Sequence, residues 1–211
     1  MDAVKSLEHG SPREALVTGE ELVKILNSKK FRNSLKKLSE KLAKLDEPFE
    51  AGFIVLMDPK TKDFSILEET DMSTNNIGLD REGIEEFNKQ QEKGKVPVID
   101  FHFHPPTGDY HLINSFTPSI SDLEALHYRG LKSKPVGVIG VMKGNGNIDM
   151  VFFQEVRYQL NSPVLREQMD QDLSECRVIG EVLETLSEYG YKAGFGSYNL
   201  QNGLSEPRLT Q

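Results

Sequence analysis

The sequence predicts one α/β domain with a mixed β-sheet. Apolar runs of strand length, at 51–57, 96–103, 135–142 and 148–156, are interspersed with stretches of helical periodicity. The resulting order is helix, hairpin, helix, strand, helix, hairpin, long helix. No internal repeat and no linker divides the chain, and 211 residues suffice for one domain with a substantial core.

Residues 1–17 carry little periodicity and read as a flexible N-terminal arm. Thr18-Gly19-Glu20-Glu21 has the form of a capping box and opens a helical region. Asn27-Ser28 divides that region, and Leu35, Leu38, Leu42 and Leu45 form its apolar stripe. Pro48 ends it, because proline disfavours helical geometry in the residue before it. Ala51 to Met57 and Asp63 to Glu68 form a hairpin around the turn Asp58-Pro59-Lys60-Thr61. The polar stretch 69–95 carries a helix at 81–91, with Ile84 and Phe87 on one side. Val96 to Phe103 is a strand, 105–118 a loop and 119–128 a helix with Leu123 and Leu126 turned inward.

A second hairpin joins 135–142 to 148–156 through Lys143-Gly144-Asn145-Gly146-Asn147, with glycines where positive φ is needed. Ser162-Pro163 then opens one long helix, expected to run to about Tyr189 and to close at Gly190. The domain is therefore expected over 18–190, with 191–211, rich in Gly, Asn and Ser, as a loosely ordered tail.

The composition, 37% hydrophobic and 27% charged, is that of a soluble globular protein. No apolar run approaches the roughly 20 residues of a membrane span. The first residues lack the basic and apolar regions of a secretory signal. The single cysteine, Cys176, excludes an internal disulfide framework and a cysteine zinc cluster. These features point to a cytoplasmic protein. A net charge of -8 argues against nucleic acid as a partner. Locally, Lys29, Lys30, Arg32, Lys36, Lys37, Lys41 and Lys44 make one helix basic, as a solvated face or as a docking surface for an acidic partner.

The chemistry concentrates between Asp100 and Leu123. In Asp100-Phe101-His102-Phe103-His104-Pro105 the two histidines are one residue apart, so on a strand they share a face. Imidazoles suit zinc, iron, nickel or copper, and zinc is favoured for hydrolysis because it needs no redox chemistry. Asp122, at the start of the next helix, would be a third ligand and leave a fourth position open to water, as in a catalytic zinc site. Ser119-Ile120-Ser121-Asp122 also fits a helix-start box, and the two roles are compatible. A hydrolase needs a general base as well. Glu50, just before the strand at 51–57, is the candidate, while Glu47, Glu68 and Glu69 also lie near strand ends.

His102-Phe103-His104-Pro105 followed by Pro118-Ser119-Ile120-Ser121-Asp122-Leu123 resembles the His-x-His-Pro…Ser-x-x-Asp signature of the JAMM (MPN+) zinc metalloproteases. Glu50-Ala51-Gly52-Phe53-Ile54-Val55-Leu56 is similar to that family's glutamate-bearing segment. The resemblance implies a single JAB/MPN-like domain, a mixed curved β-sheet flanked by helices with cytidine-deaminase-like layering. It implies one zinc ion per chain on His102, His104 and Asp122, with Glu50 as general acid/base and Ser119 as oxyanion donor. Members cleave isopeptide or peptide bonds, often releasing a ubiquitin-like modifier from lysine, so the implied partner is a protein or peptide substrate, and activity within an oligomer or complex is common.

Two departures stand out. The fourteen residues between His104 and Ser119 exceed the family's usual spacing, so the loop 105–118, with Tyr110 and His111, carries an insertion: a substrate-shaping lid or a tolerated surface loop. Glu50 is one residue nearer the glycine than is usual, which keeps Glu47 as an alternative base. The polar stretch 69–95 lies where members often contact the modifier. Three other readings compete. A barrel amidohydrolase also begins Asp-x-His-x-His but needs later histidines and a longer chain. A RadC-like branch shares the Pro-Ser-x-x-Asp-Leu ending, without electrostatic support here. A non-catalytic MPN-type scaffold is the alternative to an enzyme, since a fold alone does not license activity.

Overall fold

The computed structural model describes residues 17–44, 50–69, 71–72, 77–104, 113–129, 133–143, 146–204 and 208–209. Most of the expected N-terminal arm, Glu47, Leu45, Pro48, Tyr110 and His111 lie outside these residues.

Helix α1 (Gly19–Leu26) starts on the capping box foreseen at Thr18: its side chain accepts from Glu21 N, and the Glu21 carboxylate accepts from Thr18 N. Helix α2 (Lys29–Leu42) follows after Asn27-Ser28, with the Ser28 hydroxyl accepting from Phe31 N at 3.1 Å. Strands β1 (Ala51–Met57) and β2 (Phe64–Glu68) form the first hairpin. In the polar stretch, β3 (Asp71–Met72) pairs with β4 (Ile77–Gly78), and α3 (Arg81–Glu92) is the expected helix. Then come β5 (Val96–Phe103), α4 (Ile120–Arg129), β6 (Val136–Met142) and β7 (Asn147–Glu155), with a 3-10 turn at Asn114–Phe116 ahead of α4.

Two expectations are corrected at the C-terminal end. The single helix to Tyr189 is two helices, α5 (Pro163–Glu175) and α6 (Ile179–Glu188). Cys176 turns extended at ψ 137, and the Glu181 carboxylate accepts from Arg177 N and Val178 N to start the new helix. The apolar spacing runs through this break, and the nearest glycine, Gly180, sits inside the first turn of α6. The segment expected to be a loose tail instead supplies β8 (Tyr191–Asn199), β9 (Gly203–Leu204) and β10 (Arg208–Leu209). β8 pairs with β7 from Asn147↔Asn199 to Glu155↔Tyr191, and its Tyr191, Ala193 and Tyr198 are buried.

The main sheet is mixed α/β architecture in the order β10-β8-β7-β6-β5-β1-β2, with β9 beside β8. β5 and β6 are parallel, and every other described pair is antiparallel. A parallel barrel of the amidohydrolase kind is therefore not formed by these strands.

Side-chain alternation assigns the two faces. Phe53, Val55, Phe101, Phe103, Met150 and Tyr198 pack with Phe31 and Leu35 of α2 and Leu26 of α1. Ile139, Val141, Val151 and Phe153 pack with Leu123 and Leu126 of α4 and with Met169, Leu173 and Leu186 of α5 and α6. The sheet is thus sandwiched between α1–α2 and α4–α6. Part of the basic face of α2 is bound internally: Lys37 pairs with Glu68 at 2.9 Å, and Lys30 bonds the Phe64 carbonyl.

Tyr198 reports whether β8 belongs to the core. It is fully buried, and its hydroxyl donates to the Leu26 carbonyl at 2.9 Å. Tyr198→Ala is expected to lower stability by about 3–5 kcal/mol and Tyr198→Phe by about 1 kcal/mol, measured by urea denaturation. Two unaltered midpoints would make this segment a dispensable tail.

Candidate metal centre

The centre is built on the end of β5. Period-two alternation places Phe101 and Phe103 in the aromatic cluster on one face and Asp100, His102 and His104 on the other. The phenylalanine side is rigid: Phe101 stacks on Phe53 at 4.8 Å and meets Phe103 edge-on at 4.9 Å. His104 lies one residue past the strand, but its N–H still donates to the Gly140 carbonyl at 3.1 Å, which prolongs the strand geometry.

Asp122 comes from the first turn of α4, where it caps the helix and also faces the two histidines. As a cap, Ser119 N donates to its Oδ2 at 2.7 Å and Asp122 N donates to Ser119 Oγ at 3.2 Å. Toward the histidines, Oδ1 lies 3.5 Å from His102 Nε2 and Oδ2 lies 3.6 Å from His104 Nε2. The two imidazole Nε2 atoms are 3.0 Å apart. The 3.0 Å between the imidazole nitrogens is near the roughly 3.3 Å edge of a tetrahedron with zinc–ligand bonds of about 2.0–2.1 Å, and each imidazole faces a different oxygen of the Asp122 carboxylate. Two imidazoles and one carboxylate are also a donor set that zinc accepts, and together they could hold one metal ion.

Glu50 approaches from β1, with Oε1 at 4.0 Å from His104 Nε2. Burial raises its pKa, as does the charge of Asp122, while His104 and His102 oppose the shift. Burial disfavours a charged His102, but Asp122, Asp100 and Glu50 outweigh it and lift the imidazole to about 9. Burial likewise works against an ionised Asp122, and the two histidines hold its carboxyl well below the ordinary value. The carboxylates around the two imidazoles thus favour positive charge at this place.

Ser119 is close but engaged. Its hydroxyl donates to Asp122 Oδ2 at 2.8 Å and lies 2.7 Å from Ser121 Oγ. All five expected residues therefore converge, and they line one pocket of about 260 Å³.

The pocket continues past His102 to residues the motif does not include. Asp100 and Arg129 line its far end. Arg129 Nη1 donates to Asp100 Oδ2 at 2.6 Å, and Nη2 donates to Glu69 Oε1 at 2.7 Å. Glu69, one of the glutamates near strand ends, is buried, with Oε2 making no hydrogen bond among the described residues. Burial and the neighbouring Asp100 raise its carboxyl to about 7, against the pull of Arg129. The available signal was positional: Asp100 is two residues before His102 on one strand face, and Arg129 is seven after Asp122 on one helix face. His127, by contrast, is structural. Its Nδ1 lies 2.6 Å from Glu155 Oε2, and its ring stacks on Tyr158 at 3.6 Å.

Gly52 makes the crowding possible. It pairs with His102 across β1–β5, and a Cβ there would lie 2.4 Å from the Phe101 carbonyl oxygen, 2.7 Å from Glu69 Oε2 and 2.9 Å from His102 Cβ. The Glu69 carboxylate occupies the space that any other side chain would fill.

No protein-family model matches the chain, and no curated protein matches it. The resemblance to the JAMM metalloproteases therefore rests on the motif residues, and the geometry above stands on its own.

Gly52→Ala is expected to destabilise the fold by about 1–3 kcal/mol through overpacking and to displace His102 or Glu69. Denaturant titration with metal uptake in parallel checks this. Unchanged stability and uptake would show that the β1–β5 contact has slack.

Proposed function

We propose that this protein is a zinc-dependent hydrolase of amide bonds, with a JAB/MPN-like fold and a peptide or isopeptide substrate. The observation that carries the reading is the convergence of His102, His104 and Asp122 at metal-ligand separations, with the Glu50 carboxylate 4.0 Å from His104. Zinc held by these three residues would lower the pKa of a water and polarise the scissile carbonyl.

The remaining steps belong to the chain. Glu50 accepts a proton from the attacking water at its carboxylate and returns it to the departing amine nitrogen, a shuttle favoured by a pKa that burial raises. Ser119 turns its hydroxyl from Asp122 toward the oxyanion as the carbonyl becomes tetrahedral, a donor aimed at developing charge. Asp122 keeps its orientation meanwhile, because Ser119 N still donates to it. The acidic surroundings suit a lysine amine as leaving group, so a ubiquitin-like conjugate is the first substrate class to try. Helix α3, which has no buried residue, offers the polar face for docking such a modifier.

Elemental analysis is expected to find about one zinc per chain in the parent after reconstitution, and none in His104→Ala. Glu50→Gln is expected to keep the metal and lose about 10²–10⁴-fold in turnover of lysine-isopeptide or peptide substrates. Full turnover in that variant would refute the assignment of the base. A parent that takes up no zinc would leave a scaffold in place of an enzyme.

A further inference from the structure

The three elements that carry the candidate site meet a second time, away from the metal ligands. β5 carries His102 and, on the same face, Asp100. α4 carries Asp122 in its first turn and Arg129 as its last residue. Seven residues at 1.5 Å each put these two side chains roughly 10 Å apart along one side of the helix, two turns on. β1 carries Gly52, two residues after Glu50, and Glu69, the residue after β2, donates its N–H to the Gly52 carbonyl at 3.0 Å and lays its carboxylate over that glycine.

Arg129 bridges all three. Its two terminal nitrogens take Asp100 of β5 and Glu69 above β1, at 2.6 and 2.7 Å. A planar guanidinium donates to such a pair from a fixed fork, whereas an ammonium imposes no such fork. Helix α4 is therefore pinned to β5 at two points: Arg129 on Asp100 at one end and Asp122 on the histidines at the other. His127 on Glu155 and Glu124 on Arg166 hold α4 to β7 and α5, so the Arg129–Asp100 pair is the contact that sets the C-terminal end of α4 on β5 itself.

We propose that Arg129, held by Asp100 and Glu69, is a positioning residue for the metal centre: it fixes the roll of α4 over β5 and so sets Asp122 against His102 and His104. The inference rests on the metal reading of those three residues. Arg129 touches no reacting atom. It acts through the helix, and Glu69 couples the same frame to β1 and therefore to Glu50.

Cobalt(II) is the probe, because its visible absorption reports coordination geometry as well as occupancy. The parent, Arg129→Lys and the charge-free Arg129→Met/Asp100→Asn/Glu69→Gln variant are titrated with cobalt against a chromophoric chelator, each after a thermal melt. The parent is expected to show tetrahedral bands. Arg129→Lys is expected to lose about 10–100-fold in cobalt affinity, the range seen when groups that orient metal ligands are removed, with shifted band positions. The charge-free variant, which leaves no buried charge unpaired, is expected to show the same loss although it folds. Parent affinity and parent bands in either folded variant would overturn the inference and leave the metal reading intact. No cobalt or zinc binding in the parent would remove both. A variant that folds only at cobalt levels above those the parent needs supports the inference. One that cobalt never restores shows that the cluster serves folding alone and overturns it.

Discussion

The close approach of β1 to β5 at Gly52 and His102 is the constraint on which the site depends. The absence of a Cβ at Gly52 leaves room for the Glu69 carboxylate beside His102, and the same pairing sets Glu50 near His104. On the other face, Phe53 stacks on Phe101 across the same two strands. One strand pair thus presents an aromatic wall to α2 and a polar wall to α4. Alternation with period two separates them, so neither wall can shift without the other.

The polar wall is electrostatically unusual. Glu50, Glu69, Asp100 and Asp122 gather there, against the guanidinium of Arg129 and two imidazoles. Burying like charges is costly, and each carboxylate needs a specific cation or proton to remain. Arg129 serves Asp100 and Glu69. The histidines face Asp122, whose charge raises the pKa of His102. One guanidinium meets two carboxylates in the first group, and a divalent ion would offset the charge of the second.

Ser119 and Asp122 show how local folding and chemistry share residues. The capping bonds that start α4 are the bonds that orient the Asp122 carboxylate. A helix N-terminus is a natural place for such a side chain, since its free N–H groups need acceptors and its dipole favours negative charge. Stability of the helix start and geometry of the candidate ligand are therefore one feature.

Local signals in the sequence determined a good deal. Thr18-Gly19-Glu20-Glu21, Ser28 and Ser119 marked helix starts because caps are written within four residues. The histidine pair shared a face because alternation is a property of any strand. His102 and His104 were legible for that reason and Asp122 from its place at a helix start, while Glu50 and Ser119 stood out by the resemblance to the JAMM signature; the pocket brings all five together. Tertiary structure alone decided the rest. Gly194, Gly196 and the asparagines near Tyr191–Asn199 look like a loose tail in composition, yet β7 offers a full ladder of partners and makes them a strand. The turn at Cys176 carries no breaker residue and follows from how α5 and α6 each reach the sheet. Asp100, Arg129 and Glu69 are far apart in sequence and individually ordinary for a surface. Only the stacking of β1, β5 and α4 buries them in one place, because the pairing of charges depends on distances in space that no local pattern encodes.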